Sequence, residues 1–115
     1  MTEQEAFNKV WQHFVVEGNP RASDGARCWY RHPSSGAKCA LGILIPDEKY
    51  SSFLEHIAGW NMMSSIPEVF GRISLPFVLD LRQTHDFFPP VRPFADHMRV
   101  ELTEIASQYE LTIPA

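Results

Sequence analysis

The segment TEQEAFNKVWQHFVVEG, residues 2–18, decides the fold class of this chain. Thr2 with Glu5 three residues later forms a capping box, in which each side chain bonds the other residue's backbone N–H at a helix start. Apolar residues then recur at the spacing of one helix face: Phe7, Val10, Trp11, Phe14 and Val15. Gly18 can take the left-handed conformation that ends a helix. The segment therefore predicts a helix with one buried face, and we expect a mainly helical protein.

Other segments repeat the helical spacing. Ser74 has the side chain of a helix N-cap, and the apolar pattern after it predicts a helix that reaches His85. A last helix is expected over residues 93–109, and helical spacing also covers residues 47–58. The apolar stretch 39–45 could be a buried strand or a short buried helix, and its residue types favour the helix.

The region between these helices predicts a turn. Residues 28–30 favour an extended segment, residues 32–36 form a turn signal, and the chain then returns towards Lys38. We therefore expect a small β hairpin near Cys28 and Lys38. The expected fold is mainly α, with four to five helices and this hairpin in a single compact domain over residues 1–115. Its first and last helices should pack together around the middle one.

Length and composition exclude several classes of protein. At 115 residues, of which 44% are hydrophobic, the chain can close one core. Its 14 acidic and 10 basic side chains give a net charge of −4, with no run of three basic residues, so sequence-independent nucleic-acid binding is disfavoured. No apolar run reaches the roughly 20 residues that span a bilayer, and the first residues lack the basic start of a signal peptide. We expect a cytoplasmic protein with no membrane segment.

The densest set of reactive and special-geometry side chains lies between residues 28 and 50. With a later segment at residues 81–86, it forms the pattern CxYR…GxKCAxGxLIPDxxY…LxQxHD, which runs from Cys28 to Asp86. This pattern resembles a family of small uncharacterised proteins found in bacterial genomes and in phages. The resemblance implies a small accessory protein encoded by a prophage or mobile element, and it implies no particular activity.

Cys39 is the candidate nucleophile. At the start of a helix, after a glycine-containing turn and a lysine, its thiolate would be favoured by the helix dipole and the positive charge. His85 would be its base. Asp86 is next in sequence and lies about 100° away around a helix, so Asp80 or Asp47 would have to orient the imidazole. The alternative is that Cys39 is a small buried hydrophobe, the common state of an intracellular cysteine.

Metal binding is a second candidate chemistry. Cys28, His32, Cys39 and His85 are of the types that ligate zinc, but structural zinc sites usually draw ligands as pairs about two to four residues apart. Only Cys28 with His32 approaches that spacing, so we expect no metal and no other cofactor. In a reducing compartment both cysteines are expected to be free thiols, whereas in a secreted protein they could bridge across the hairpin.

Ligand binding is a third candidate. Basic side chains on adjacent strands of the hairpin, Arg27 among them, can converge on an anion. We assign the binding of a ligand or partner to Tyr30, Arg31, Lys38, Asp47 and Asp86. The alternative is ordinary ion pairing of the basic residues with Asp24, Asp47 or Asp86.

A protein-binding surface is a fourth candidate. Side chains that favour interfaces lie in or beside segments of weak helical periodicity: Trp29, Trp60, Met62, Met63, Phe87 and Phe88. Phe87 and Phe88 cannot both face inward from one helix, so at least one should be exposed or in a bend. The alternative is that these side chains fill the core. Self-association as a homodimer stays open.

The sequence favours a non-enzymatic binding or accessory protein, phage- or prophage-derived, that contacts a protein or other macromolecular partner or a small anionic ligand. The alternative is a cysteine-dependent hydrolase or transferase that uses Cys39 and His85. A reactive Cys39 is expected to combine with iodoacetamide well below about pH 8, and a buried, inert Cys39 counts against the enzyme.

Overall fold

The computed structural model describes residues 1–23 and 27–114, with Trp60 described by its backbone alone. Five α-helices lie in this part of the chain: α1 Glu3–Trp11, α2 Met62–Ser65, α3 Pro67–Phe70, α4 Leu75–Asp86 and α5 Phe94–Gln108. Shorter helical turns join them: the π-helical turn Gln12–Val16, and the 3-10 turns Gly42–Leu44, Asp47–Lys49, Ser52–His56 and Gly59–Asn61. The radius of gyration of 13.2 Å is that of a folded domain of this length. The prediction of a compact, mainly helical protein with four to five helices is confirmed.

Helix α1 begins as its sequence predicts. Thr2 Oγ1 accepts the Glu5 N–H at 3.1 Å, and Glu5 Oε1 accepts the Thr2 N–H at 2.9 Å, so the capping box is complete. The π-helical turn continues α1, and Gly18 follows it with a left-handed φ of +67°. The face predicted to be apolar is buried, with Phe7 and Phe14 fully inaccessible.

The core lies where α1 and α4 meet α5. Helix α5 packs against both α1 and α4, so the first and last helices pack together as expected. Among the fully buried side chains are Phe7, Phe14, Phe77, Leu81, Met98 and Leu102. Gln4 ties the two ends of the fold together, because its amide exchanges two hydrogen bonds of 2.8 Å with the backbone of Thr112. None of the described helices combines the length and the apolar character needed to cross a bilayer.

The segments between α1 and α2 differ from prediction. Residues 39–45 hold the first of the 3-10 turns, and residues 47–58 hold the next two, in place of the expected helices. Ile45 and Tyr50 have extended backbones, with ψ of 119° and 138°, and each interrupts the helical hydrogen-bond pattern. Ile45 is extended because it precedes Pro46, which disfavours the helical region for the residue before it.

The predicted β hairpin near Cys28 and Lys38 is wrong, since residues 27–39, all of which the structure describes, form no strand. Lys38 makes one isolated antiparallel bridge with Arg31, and Cys28 makes another with Ser23. Within the described ranges neither bridge extends into a ladder.

The hydrogen bonds of Tyr30 and Cys39 explain why the ladder stops. The Cys39 N–H donates to the Tyr30 carbonyl at 3.0 Å, and the reciprocal bond from the Tyr30 N–H would extend the pairing. The Tyr30 N–H instead donates to Glu55 Oε1 at 3.0 Å, and the Cys39 carbonyl accepts the Ile43 N–H at 3.1 Å. A carboxylate from another segment and the start of a 3-10 turn therefore take the groups that a second strand would need.

Candidate functional site

A cavity of about 350 Å³ lies beside the last turns of α4. Two other parts of the chain complete its wall: residues 27–30, with Cys39 beside them, and the 3-10 turn Ser52–His56. Its wall includes Cys28, Tyr30, Cys39, Glu55, Arg82 and Asp86. We call this space the Arg82 cavity.

Arg82 is held in the cavity wall from two sides. Its Nε donates to Asp86 Oδ2 at 3.2 Å, one helical turn later, and its guanidinium carbon lies 5.4 Å from the centre of the Tyr30 ring. The two terminal nitrogens of Arg82 have no hydrogen-bond partner among the described residues. Burial alone would lower the pKa of Arg82, but Tyr30 and Asp86 outweigh burial and the pKa is raised. Arg82 is therefore a fixed cation in the cavity wall, with terminal nitrogens that have no partner among the described residues.

Gly59 makes room for this arginine. A Cβ atom at Gly59 would lie 2.9 Å from a terminal nitrogen of Arg82 and 3.0 Å from its Cδ. The guanidinium therefore passes directly over the backbone of the 3-10 turn that precedes α2.

His85 lies behind the wall and is fully buried near the end of α4. Its Nε2 accepts the backbone N–H of Ala22 at 3.0 Å, so Nδ1 carries the proton and donates to Asp86 Oδ1 at 2.8 Å. Burial lowers the pKa of His85, although the Asp86 carboxylate opposes the shift. The imidazole is therefore neutral, and both of its nitrogens already have partners. It offers no free base to a substrate.

The interpretation that Asp86 cannot orient His85 is wrong. Successive helix residues do point about 100° apart, but Nδ1 is the ring nitrogen nearer the backbone and the Asp86 side chain is short. Contact therefore forms at the last turn of α4. Burial would raise the pKa of Asp86, but the hydrogen bonds and positive charge of its partners outweigh burial and lower it, so the carboxylate is ionised at neutral pH.

Arg21 links this network to the loop after α1. Its Nε donates to the His85 carbonyl at 2.9 Å, and its Nη2 donates to the Asp86 carbonyl. The guanidinium therefore caps the C-terminal end of α4, where backbone carbonyls lack helical partners. The same Nη2 lies 3.2 Å from Cys28 Sγ. These contacts fasten the loop to α4, which accounts for the polar groups behind the cavity wall.

Cys39 is 2% exposed, and burial raises the pKa of its thiol to about 12. Its Sγ accepts the backbone N–H of Gly42 at 3.3 Å. A nucleophilic cysteine needs a lowered pKa and access to a substrate. Cys39 instead has a raised pKa and is almost inaccessible, which fits the alternative that this residue is a small buried hydrophobe.

One group of three metal-ligating side chains occurs in the described part of the chain. The ligand atoms of Cys28, His85 and Asp86 lie within 4.8 Å of one another. Both nitrogens of His85 have partners, and Arg21 and Arg82 place two positive charges against the group. A further cation would meet repulsion and would have to break these hydrogen bonds, so the donor set does not fit a metal.

The zinc ligands considered from the sequence do not form one set. His32 lies in the turn before Gly36, where its Nδ1 accepts the backbone N–H groups of Ser34 and Ser35 at 3.2 Å each. It stands outside the group of three that the fold brings together. His32 therefore stabilises its own turn.

Three of the predicted binding residues meet at a surface outside the cavity wall. Arg31 Nη1 lies 2.8 Å from Asp47 Oδ1, and Lys38 Nζ lies 3.9 Å from the same oxygen. The Asp47 side chain is 84% exposed and that of Arg31 is 16% exposed, so solvent at Asp47 screens the ion pair and weakens it. Arg31 and Lys38 therefore form ion pairs with Asp47, which is the alternative to ligand binding. Asp24, another expected partner, lies outside the described residues.

Glu55 is a cavity residue that the sequence analysis missed. Its Oε1 accepts the Tyr30 N–H at 3.0 Å, and its Oε2 accepts the Arg31 N–H at 3.0 Å and the Tyr50 hydroxyl at 2.6 Å. The partners lie up to 25 positions away and include two backbone groups, so no sequence motif marks them. The carboxylate is fixed in the wall by three hydrogen bonds.

The predicted site is thus divided. Tyr30 and Asp86 line the Arg82 cavity, as does the candidate nucleophile Cys39, while His85 lies buried behind it. A signal for Arg82 was available, because its i, i+4 spacing to Asp86 on a predicted helix is typical of an ion pair.

The side chains proposed as interface anchors also separate. Met62 is buried, and Phe88 is half-buried against Phe94, with ring centres 5.1 Å apart. Phe87 is 68% exposed, which confirms that at least one of the two adjacent phenylalanines lies at the surface. The side chain of Trp60 lies outside the described residues.

Comparison with known proteins gave no match to a family model, to a curated protein or to a solved structure. Fold and site together define a small helical domain with a polar cavity at the end of one helix. Function is therefore inferred from the side chains themselves.

Proposed function

We propose that this chain is a non-enzymatic binding protein whose Arg82 cavity takes a small ligand with an anionic group. The observation that carries the proposal is the state of Arg82. Asp86 and the Tyr30 ring hold the guanidinium in place in the cavity wall, and its terminal nitrogens have no partner among the described residues. A preorganised guanidinium binds carboxylates and phosphates well, because its planar donors match two oxygens at once.

The alternative of a cysteine-dependent hydrolase or transferase has less support. Such an enzyme needs a thiolate beside an available base. Cys39 has a pKa raised to about 12, and His85 uses both ring nitrogens inside the fold. Cys28 does not replace Cys39, because burial, with a smaller contribution from Asp86, also raises the pKa of its thiol.

The proposal includes a biological setting. The chain acts as an accessory factor of prophage or mobile-element type, which is what its resemblance implies, and it works by binding a small molecule. A macromolecular partner is the other route to an accessory role. Its candidate contacts are the exposed Phe87 and Val91, at 68% and 76% exposure.

A thermal-shift screen tests the proposal. The chain is melted with mono- and dicarboxylates, inorganic phosphate, phosphate esters and free amino acids at constant ionic strength. A ligand at ten times its Kd stabilises the fold by about 1.4 kcal/mol, which raises the Tm by roughly 4–8 °C for a domain of this size. We expect at least one compound to give such a saturating rise.

Matched variants locate the effect. Arg82→Gln should abolish the rise, whereas Arg72→Gln, at an exposed position outside the cavity wall, should keep it. A saturating rise that survives Arg82→Gln, or the lack of any rise across the screen, contradicts the proposal.

A further inference from the structure

The wall of the Arg82 cavity carries both signs of charge in equal number. Arg27 and Arg82 supply two positive charges, and Glu55 and Asp86 supply two negative charges. A purely anionic molecule would be attracted by the first pair and repelled by the second. A ligand with one group of each sign would be attracted by both.

Glu55 offers an acceptor for the positive group. Each carboxylate oxygen can accept about two hydrogen bonds. Oε1 of Glu55 has one donor among the described residues, the Tyr30 N–H, whereas Oε2 has two. The side chain is half-buried and lines the cavity, so Oε1 can take a further donor.

Asp86 plays a different part from Glu55. Its Oδ1 accepts from His85 and its Oδ2 from Arg82, so its charge is committed to holding these two side chains. The cavity therefore offers donors at Arg82 and an acceptor at Glu55, each fixed by its own hydrogen bonds.

The dimensions suit a small molecule. At about 350 Å³ the cavity lies near the lower end of the range for small-molecule sites, roughly 300–1,000 Å³. Tyr30 lies beside both charged groups in the wall, since Arg82 stands over its ring and its backbone N–H donates to Glu55. A cavity of this size with a donor and an acceptor in one wall suits a compact molecule with two charged ends.

We propose that the ligand of the Arg82 cavity is a small zwitterion of the α-amino acid class, with its carboxylate at Arg82 and its ammonium group at Glu55. This inference rests on the proposed function and deepens it. The ammonium group donates to Oε1, and the carboxylate accepts from the terminal nitrogens of Arg82.

The test uses three forms of each standard amino acid on the wild-type chain: the free acid, the N-acetylated acid and the methyl ester. Acetylation removes the positive charge, and the ester removes the negative one. We expect at least one free amino acid to bind measurably by calorimetry, with both of its derivatives weaker by about tenfold or more, because each loses one charge-assisted contact.

Variants separate the two charges. Glu55→Gln should weaken the free amino acid by about tenfold but should not weaken its N-acetylated form, which loses no contact and meets one negative charge fewer. Retained binding of the N-acetylated form also shows that the variant is folded. Glu48→Gln, at an exposed position outside the wall, should change neither. Arg82→Gln should weaken the free acid and the N-acetylated form together.

The outcomes distinguish this inference from the function on which it rests. N-acetylated acids that bind as tightly as the free acids, with loss in Arg82→Gln, overturn the zwitterion and leave the anion-binding function standing. Binding of no form of any amino acid overturns the zwitterion, and the anion-binding function is then judged by the carboxylates and phosphates of the screen. Binding that is indifferent to Arg82→Gln overturns both. The comparison of the three forms on the wild-type chain decides the inference even if Glu55→Gln does not fold.

Discussion

Two cysteines line one cavity, and their exposure separates their chemistry. Cys39 is 2% exposed and its thiol has a pKa raised to about 12, whereas Cys28 is half-buried. From the sequence, Cys39 could be a nucleophile or a small buried hydrophobe. The sequence does not decide between them, because the answer depends on which residues cover the thiol. The cover includes segments far away in the chain, as the presence of Glu55 and Arg82 in the same wall shows.

Iodoacetamide labelling should follow this difference. In the folded chain at about pH 8 we expect Cys28 to be alkylated at least tenfold faster than Cys39, because only an accessible thiolate reacts. Mass spectrometry of the digested peptides measures both rates, and labelling in denaturant gives the control in which the two rates converge. Rapid labelling of Cys39 in the folded chain would contradict its burial and would restore the cysteine-dependent enzyme.

His85 makes the stability of the fold depend on pH. Burial lowers its pKa in the folded chain below the ordinary value of 6.5. As the pH falls below 6.5, the unfolded chain binds a proton that the folded chain does not, so the free energy of unfolding falls. Each unit by which the folded pKa lies below 6.5 corresponds to about 1.4 kcal/mol.

Urea unfolding between about pH 7.5 and about pH 5.5 measures this dependence. We expect the wild-type chain to lose stability towards acid and His85→Gln to lose less over the same range. Burial also lowers the pKa of His13, so His13 contributes to the loss of stability in the same direction. His13→Gln should therefore still lose the stability that depends on His85. A free energy of unfolding that is constant or rises towards pH 5.5 would contradict the buried, neutral imidazole.

At the scale of elements, the helices with strong local signals were predictable and the segments held by distant contacts were not. Helix α1 has its capping box and apolar face in its own sequence, and α5 matches its predicted range within one residue at each end. The hairpin near Cys28 failed because the Glu55 carboxylate takes the Tyr30 N–H that a second strand would need. Turn signals and residue preferences contain no information about a carboxylate 25 positions away.

Gly42 fixes how closely residues 28–31 approach the first 3-10 turn. A Cβ atom at Gly42 would lie 1.9 Å from the Tyr30 carbonyl oxygen, so Gly42→Ala must push the two segments apart. We expect this variant to lower the free energy of unfolding by about 1–3 kcal/mol. Because the Cys39 thiol accepts the Gly42 N–H, Gly42→Ala should also expose Cys39. Faster alkylation of Cys39 measures this exposure.

Gly36→Ala is the matched control for Gly42→Ala. Gly36 has a φ of +74° and open space around its Cα, so alanine there costs about 1–2 kcal/mol through backbone strain alone. Cys39 should stay unreactive in this variant. A Gly42→Ala chain as stable as the wild type would show that the two segments do not approach as closely as the structure has them.

At the scale of the whole molecule, the cavity exists because three separate parts of the chain meet. Tyr30 and Cys39 come from one part, Glu55 from a 3-10 turn and Arg82 from α4. The sequence identified the reactive segment that contributes Tyr30 and Cys39, together with Asp86. The sequence did not show that Arg82 and Glu55 share one cavity wall, because no spacing rule relates a helix to a turn that lies before two other helices.

The central claim, that Arg82 binds a small ligand with an anionic group, is tested most directly by an NMR titration of the 15N-labelled chain. Glycine, acetate and inorganic phosphate are titrated separately as probes. With at least one probe we expect saturable shifts of the Arg82 Nε–H signal and of the Tyr30 and Cys39 amide signals, and the loss of these shifts in Arg82→Gln. Shifts that never saturate, that survive Arg82→Gln, or that concentrate around Phe87 and Val91 would contradict it.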